Sequence, residues 1–214
     1  MDIAIPLFDR FTALDAVGPY EVLSRIPGAT VHFLAAGDTG PQTTETGMLT
    51  LNADRPLSDL PHPDVVVVPG GYGTRDLLED EPTLDWIRTA HTTSRYTTSV
   101  CTGALLLGAA GLLDGLVATT YWTERETLRR YGATPSADRV VEQGKIITAA
   151  GVSSGIDMAL VLTAHLTSPE VAQAIQLGIE YDPQPPYDTG SPEKAPPELV
   201  EGLRAMIEAE NAAA

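Results

Sequence analysis

A chain of 214 residues with 43% hydrophobic side chains can build one well-buried core and is short for two independent ones. Its formal net charge of −16 argues against polyanionic partners such as nucleic acid and anionic lipid, and favours a small neutral substrate. A single cysteine forms no intramolecular disulfide, four scattered histidines show no zinc-ligand spacing, and neither a basic leader nor a membrane-length apolar run is visible; a cytosolic protein without metal or organic cofactor is expected.

Residues 2–7 form an apolar, β-branched run that reads as a buried strand, followed by a helix over 14–26 and a second strand over 30–36. Residues 43–51 look like a less buried strand, a hairpin arm at a sheet edge. The run 65–68 is a third core strand, residues 84–93 a helix, 96–100 a strand, and 102–110 and 124–131 helices. A weaker strand over 138–141 precedes a core strand over 145–149. Two helices, 154–166 and 169–177, follow. This alternation predicts right-handed crossovers, a mostly parallel sheet and a three-layer α/β/α sandwich. From residue 182 a Pro-rich extended segment leads to a terminal helix over 197–208, which reads as a strap on a single domain spanning 1–214.

Cys101 stands between the strand at 96–100 and the helix opened by Thr102-Gly103-Ala104, with no intervening loop. This strand-turn-helix junction has the outline of a nucleophile elbow at the carboxyl edge of the sheet, where open α/β sheets bind ligands. The helix N-terminus favours negative charge on sulfur, so a lowered thiol pKa is expected. The residues alone leave two readings, a catalytic nucleophile and a small buried hydrophobe. A second signal, Val65-Val66-Val67-Val68-Pro69-Gly70-Gly71-Tyr72-Gly73, brings a glycine-rich turn to the same edge. Either it is an ordinary loop, or the N–H groups of Gly71 and Thr102 form an oxyanion hole.

Asp15 also follows a strand toward that edge. It is either the far end of a capping box opened by Thr12 or a proton donor whose pKa is raised in a dry pocket beside the thiol. Ser154 to Asp157 and Thr123 to Glu126 match capping boxes as well, and their acids read as structural. His32, His62, His91 and His165 have no local sequence reason to lie near Cys101.

Val68-Pro69-Gly70-Gly71, Val100-Cys101-Thr102-Gly103-Ala104 and Ala150-Gly151-Val152-Ser153-Ser154-Gly155-Ile156-Asp157 together resemble the PfpI-like branch of the class I glutamine amidotransferase-like superfamily. Asp15-Ala16-Val17-Gly18-Pro19-Tyr20-Glu21, Thr119-Thr120-Tyr121-Trp122 and the stretch from Gly178 to Pro186 look most like the isonitrile hydratases within it. The resemblance covers nearly the whole chain. It implies a flavodoxin-like sandwich that forms homodimers, with Cys101 as nucleophile, Asp15 as acid and base, and Thr102 assisting. AraC-type regulators share this domain, but the stretch after Tyr181 has no room for their helix-turn-helix domain.

Where related hydratases carry His-Trp, this chain has Tyr121-Trp122, so the expected base of a Cys-His-acid amidase is missing. The implied reaction is hydration of an isonitrile to an N-substituted formamide through a thioimidate on Cys101, with Gly70, Tyr72, Tyr121 and Trp122 around the substrate. Two alternatives use the same thiol: a cofactor-independent glyoxalase or deglycase, and a noncatalytic redox sensor or chaperone.

Overall fold

The computed structural model describes residues 1–213, which form two compact units, Met1–Ile179 and the segment beginning at Glu180. The first opens with β1 (Asp2–Leu7), α1 (Ala13–Leu23) and β2 (Thr30–Ala35). Then come β3 (Gly40–Thr43), β4 (Thr50–Ala53), the two-residue β5 (Arg55–Pro56) and β6 (Val65–Val68). Next are the short α2 (Thr74–Leu77), α3 (Glu81–Thr93), β7 (Tyr96–Val100) and α4 (Gly103–Ala109). After β8 (Val117–Ala118) a 3-10 helix runs over Trp122–Tyr131, followed by β9 (Thr134–Pro135), β10 (Val140–Gln143) and β11 (Ile146–Ala149). The helices α5 (Ser154–Leu166) and α6 (Pro169–Gly178) complete this unit.

The central sheet has the order β10-β11-β7-β6-β1-β2-β5 and is parallel except for β10, which pairs antiparallel with β11 at the edge. This is the flavodoxin-like α/β/α architecture: α1 packs on α5, α3 packs on α4, and these helices flank the sheet. Successive crossovers leave β1 in opposite directions, to β2 on one side and to β6 on the other. That reversal is a topological switch point, and the strand ends beside it form a crevice. All four valines of β6 are fully buried, as a strand covered on both faces requires. On β7, Thr97, Thr98 and Ser99 are equally buried; the Thr98 hydroxyl donates to the Val66 carbonyl at 2.9 Å, which offsets the desolvation of the hydroxyl.

Three elements differ from the sequence expectation. The strand predicted over 43–51 is a hairpin instead: β3 and β4 pair antiparallel, and the predicted run covers their turn, where Gly47 takes φ +71°. The helix predicted over 124–131 is a 3-10 helix in which Leu128 is the buried residue, so it lacks the apolar stripe that holds an α-helix against a core. In the second unit, α7 spans Pro197–Ala213 and passes the predicted end at 208, because Ala and Glu propagate a helix well.

Candidate active site

The junction of β7 and α4 leaves two residues, Cys101 and Thr102, to reverse the chain. Cys101 takes φ +57°, a left-handed conformation that costs a non-glycine residue about 1–2 kcal/mol. Its N–H donates to the carbonyls of Ala149 and Ala150 at 3.1 and 3.0 Å, and the Thr120 hydroxyl donates to its carbonyl at 2.7 Å. These bonds hold the strained residue in place. Gly103 completes the turn: a Cβ there would stand 2.2 Å from the Val68 carbonyl oxygen, so only glycine lets the elbow close onto the end of β6. Cys101 as a whole is 5% exposed.

Asp15, in the first turn of α1, is fully buried beside it. Its Oδ2 accepts the Gly70 N–H at 2.9 Å, while Oδ1 is buried without a hydrogen-bond partner. Burial pushes this carboxyl well above the usual aspartate value; the Gly70 N–H and the Cys101 thiol act against burial, and the negative charge of Glu45 acts with it. Burial also pushes the Cys101 thiol up, reinforced by the charge of Asp15 and opposed by the Thr102 N–H directed at sulfur. The lowered thiol pKa expected at a helix N-terminus is therefore reversed. One backbone N–H does not outweigh desolvation and an adjacent carboxyl, so the protonated form of each group is favoured over its ordinary balance.

The capping-box readings are corrected as well. The Thr12 side chain makes no cap bond to α1; its hydroxyl donates to Glu45 Oε2 at 2.9 Å, and Asp15 faces Gly70 instead. Ser153 holds the N-cap position of α5 without a side-chain cap bond, and the Ser154 hydroxyl donates to the Ala150 carbonyl at 2.6 Å. Asp157 pairs with Arg139, Glu124 with Arg75 and Glu126 with Arg129, so these acids are structural through ion pairs.

The proposed oxyanion donors are both engaged. Gly71 N–H donates to Thr102 Oγ1 at 2.9 Å, and that hydroxyl donates back to the Gly71 carbonyl at 3.2 Å. Thr74, fully buried, also donates to the Gly71 carbonyl, at 2.7 Å. The Thr102 hydroxyl thus clasps the glycine turn to the elbow rather than facing open space, and its N–H serves sulfur. Gly70 carries out the task its type allows, an approach too close for any side chain.

Tyr121 is half-buried against Gly151, where a Cβ would lie 2.2 Å from the ring, and it is electrostatically coupled to Cys101. Trp122 packs against it with ring centroids 5.9 Å apart and hydrogen-bonds it through its side chain. Tyr72 stands under the Arg75 guanidinium at 5.7 Å. The histidines find partners elsewhere: His32 meets Asp2, His62 meets Thr93, His91 meets Thr97 and His165 meets Glu142. Sequence reasoning missed Glu45, Thr12 and Thr74. Only Thr12 carried a signal, the cap position, and its actual partner lies on a different loop. Among the described residues, no group of three or more His, Cys, Asp or Glu side chains could hold a metal ion, and no helix is long and apolar enough to cross a membrane.

A flavodoxin-like sheet with a cysteine elbow, a buried acid from the first helix and a glycine turn defines one class of proteins, and the chain belongs to the DJ-1/PfpI family, whose family model matches residues 1–165. It is 47% identical to the isonitrile hydratase of Pseudomonas putida over 95% of this chain and 89% of that protein. The crystal structure of a ThiJ/PfpI family protein from Pseudomonas syringae superposes with a TM-score of 0.93 at 34% identity, covering 99% of this chain and 87% of that one. Drosophila melanogaster DJ-1beta shares the fold, with a TM-score of 0.76 at 21% identity over 84% of this chain and 97% of its own.

Proposed function

We propose that this protein hydrates organic isonitriles to N-substituted formamides. The observation that carries the reading is the buried Asp15–Cys101 pair, in which burial pushes the carboxyl pKa up and one carboxyl oxygen lacks a hydrogen-bond partner. An isonitrile carbon becomes strongly electrophilic on protonation, so one acid and one nucleophile must act at the same atom. The likeness to the Pseudomonas putida hydratase over nearly the full length supports the same conclusion.

The protons balance as a relay. Asp15 gives its proton to the terminal carbon as the sulfur attacks, and the proton of the thiol returns to Asp15, which leaves R–N=CH–S on Cys101. Asp15 then gives that proton to the imine nitrogen and takes one from the attacking water, forming R–NH–CH(OH)–S on Cys101. The C–S bond breaks as the hydroxyl proton passes through Asp15 to sulfur, releasing R–NH–CHO and the thiol. Cys101 and Asp15 are the catalytic residues. Thr102 holds Gly71 and the sulfur in place, and we assign substrate contact to Gly70, Tyr72, Tyr121 and Trp122. We place the enzyme in the cytoplasm as a homodimer. Light scattering of the purified protein tests that assembly.

The decisive experiment incubates the protein with cyclohexyl isocyanide and, in parallel, with methylglyoxal, following N-cyclohexylformamide and lactate, with Cys101→Ala as the control. Formamide that disappears in the variant is the expected result. Lactate alone would replace the reading with a glyoxalase, and neither product would remove it.

A further inference from the structure

We infer that Glu45, tethered by Thr12, is a positioning residue that limits the Asp15–Cys101 pair to one negative charge and biases the site against anionic substrates. The inference deepens the site described above, and its main test does not depend on hydratase turnover.

A single short segment, Phe11-Thr12, connects Glu45 to the site. Phe11 forms bridges with Thr44 on one side and Gly71 on the other. Glu45 N–H donates to the Phe11 carbonyl at 3.0 Å, and Thr12 N–H donates to the Gly70 carbonyl at 2.8 Å. Gly70 in turn donates to Asp15. The Thr12 hydroxyl, 9% exposed, holds the half-buried Glu45 side chain through Oε2 at 2.9 Å. The turn of the β3–β4 hairpin is thereby fastened to the glycine turn that organises the acid.

The charge of Glu45 is felt at three groups, raising the pKa of Asp15, Cys101 and Tyr121 alike. Among the described residues, the ionisable groups that act on the pair are its two members and Glu45, with Tyr121 coupled through Cys101. Like charges in a poorly screened site disfavour ionisation. With Glu45 in place, a thiolate and an aspartate cannot both form at modest cost, so the donor proton stays on Asp15 when the sulfur is ready to attack. An incoming carboxylate meets the same repulsion.

Cys101 is the only cysteine, so alkylation reports on it alone. The test compares iodoacetamide, which is neutral, with iodoacetate, which is anionic, across pH for wild type, Glu45→Gln and Thr12→Val. Glu126→Gln, whose carboxylate is 78% exposed, controls for net charge. Glu45→Gln should lower the pH midpoint of iodoacetamide alkylation and raise the iodoacetate-to-iodoacetamide rate ratio by about five- to tenfold, the scale of one partly screened charge. Thr12→Val should move both readouts the same way by less, and it decides the matter if circular dichroism shows Glu45→Gln unfolded. Glu126→Gln should move neither. A midpoint and a ratio unchanged in Glu45→Gln would overturn the inference. A wild type that makes no formamide would overturn the hydratase reading and leave this test standing.

Discussion

Gly70 and Asp15 are joined by a single 2.9 Å hydrogen bond, and the absence of a side chain on the glycine is what permits it. A Cβ at Gly70 would stand 2.9 Å from Asp15 Oδ2 and 2.5 Å from the Thr102 nitrogen. Gly70→Ala should therefore displace the acid and the elbow together. A shift of this kind costs a positioned reaction about a hundredfold in kcat/KM. Steady-state formamide production with thermal unfolding alongside distinguishes a displaced site from a lost fold.

The pH dependence of turnover has a defined sign. In the proposed mechanism hydration needs Asp15 protonated, and burial holds its carboxyl well above the ordinary value. Activity should fall as pH rises through that elevated value, without an acidic limb in the usual aspartate range. A kcat/KM profile that rises into the alkaline range would point instead to a thiolate as the limiting species.

The same shift is a stability statement. In the unfolded chain Asp15 titrates near pH 4, whereas the folded carboxyl holds its proton to higher pH. Its contribution to stability is full below the unfolded value and is lost as pH rises through the folded one. Asp15→Asn keeps an acceptor for Gly70 and cannot ionise. It should gain stability relative to wild type as pH increases, while losing hydratase activity. Urea unfolding of both proteins at pH 4 and pH 8 measures the difference directly.

Thr102→Val retains shape and removes the hydroxyl that accepts from Gly71 N–H. A buried donor left without a partner costs about 1–3 kcal/mol. Thr102→Ser, which preserves the hydroxyl, should recover most of that loss and most of the activity. Denaturant midpoints and turnover on the two variants test the clasp.

The legible parts of the molecule were those whose physics is local. The β-branched run Val65-Val66-Val67-Val68 announces a buried strand, and the small residues after Cys101 announce a turn tight enough to press on it. The hairpin was misplaced because β3, Gly-Pro-Gln-Thr, is a strand through pairing with β4 rather than through its own propensity. The occupied N–H of Gly71 was invisible because its partner, Thr102, comes from another strand end. Glu45 lies on a hairpin turn with no motif around it, and only the bridges made by Phe11 bring it to the acid. The direction of the Cys101 pKa was misjudged for a related reason. The helix end can be read along the chain, but the burial that outweighs it is a property of the packed sheet.

Cys101 is the single thiol of the chain, and burial beside Asp15 pushes its pKa up, which favours the thiol over the thiolate. Peroxides and adventitious electrophiles attack thiolates far faster than thiols. In the proposed mechanism the nucleophile is therefore armed by the molecule it is about to consume, and between turnovers it rests with a safety catch on. A catalyst built this way outlasts the oxidising episodes that would disable a permanently ionised cysteine.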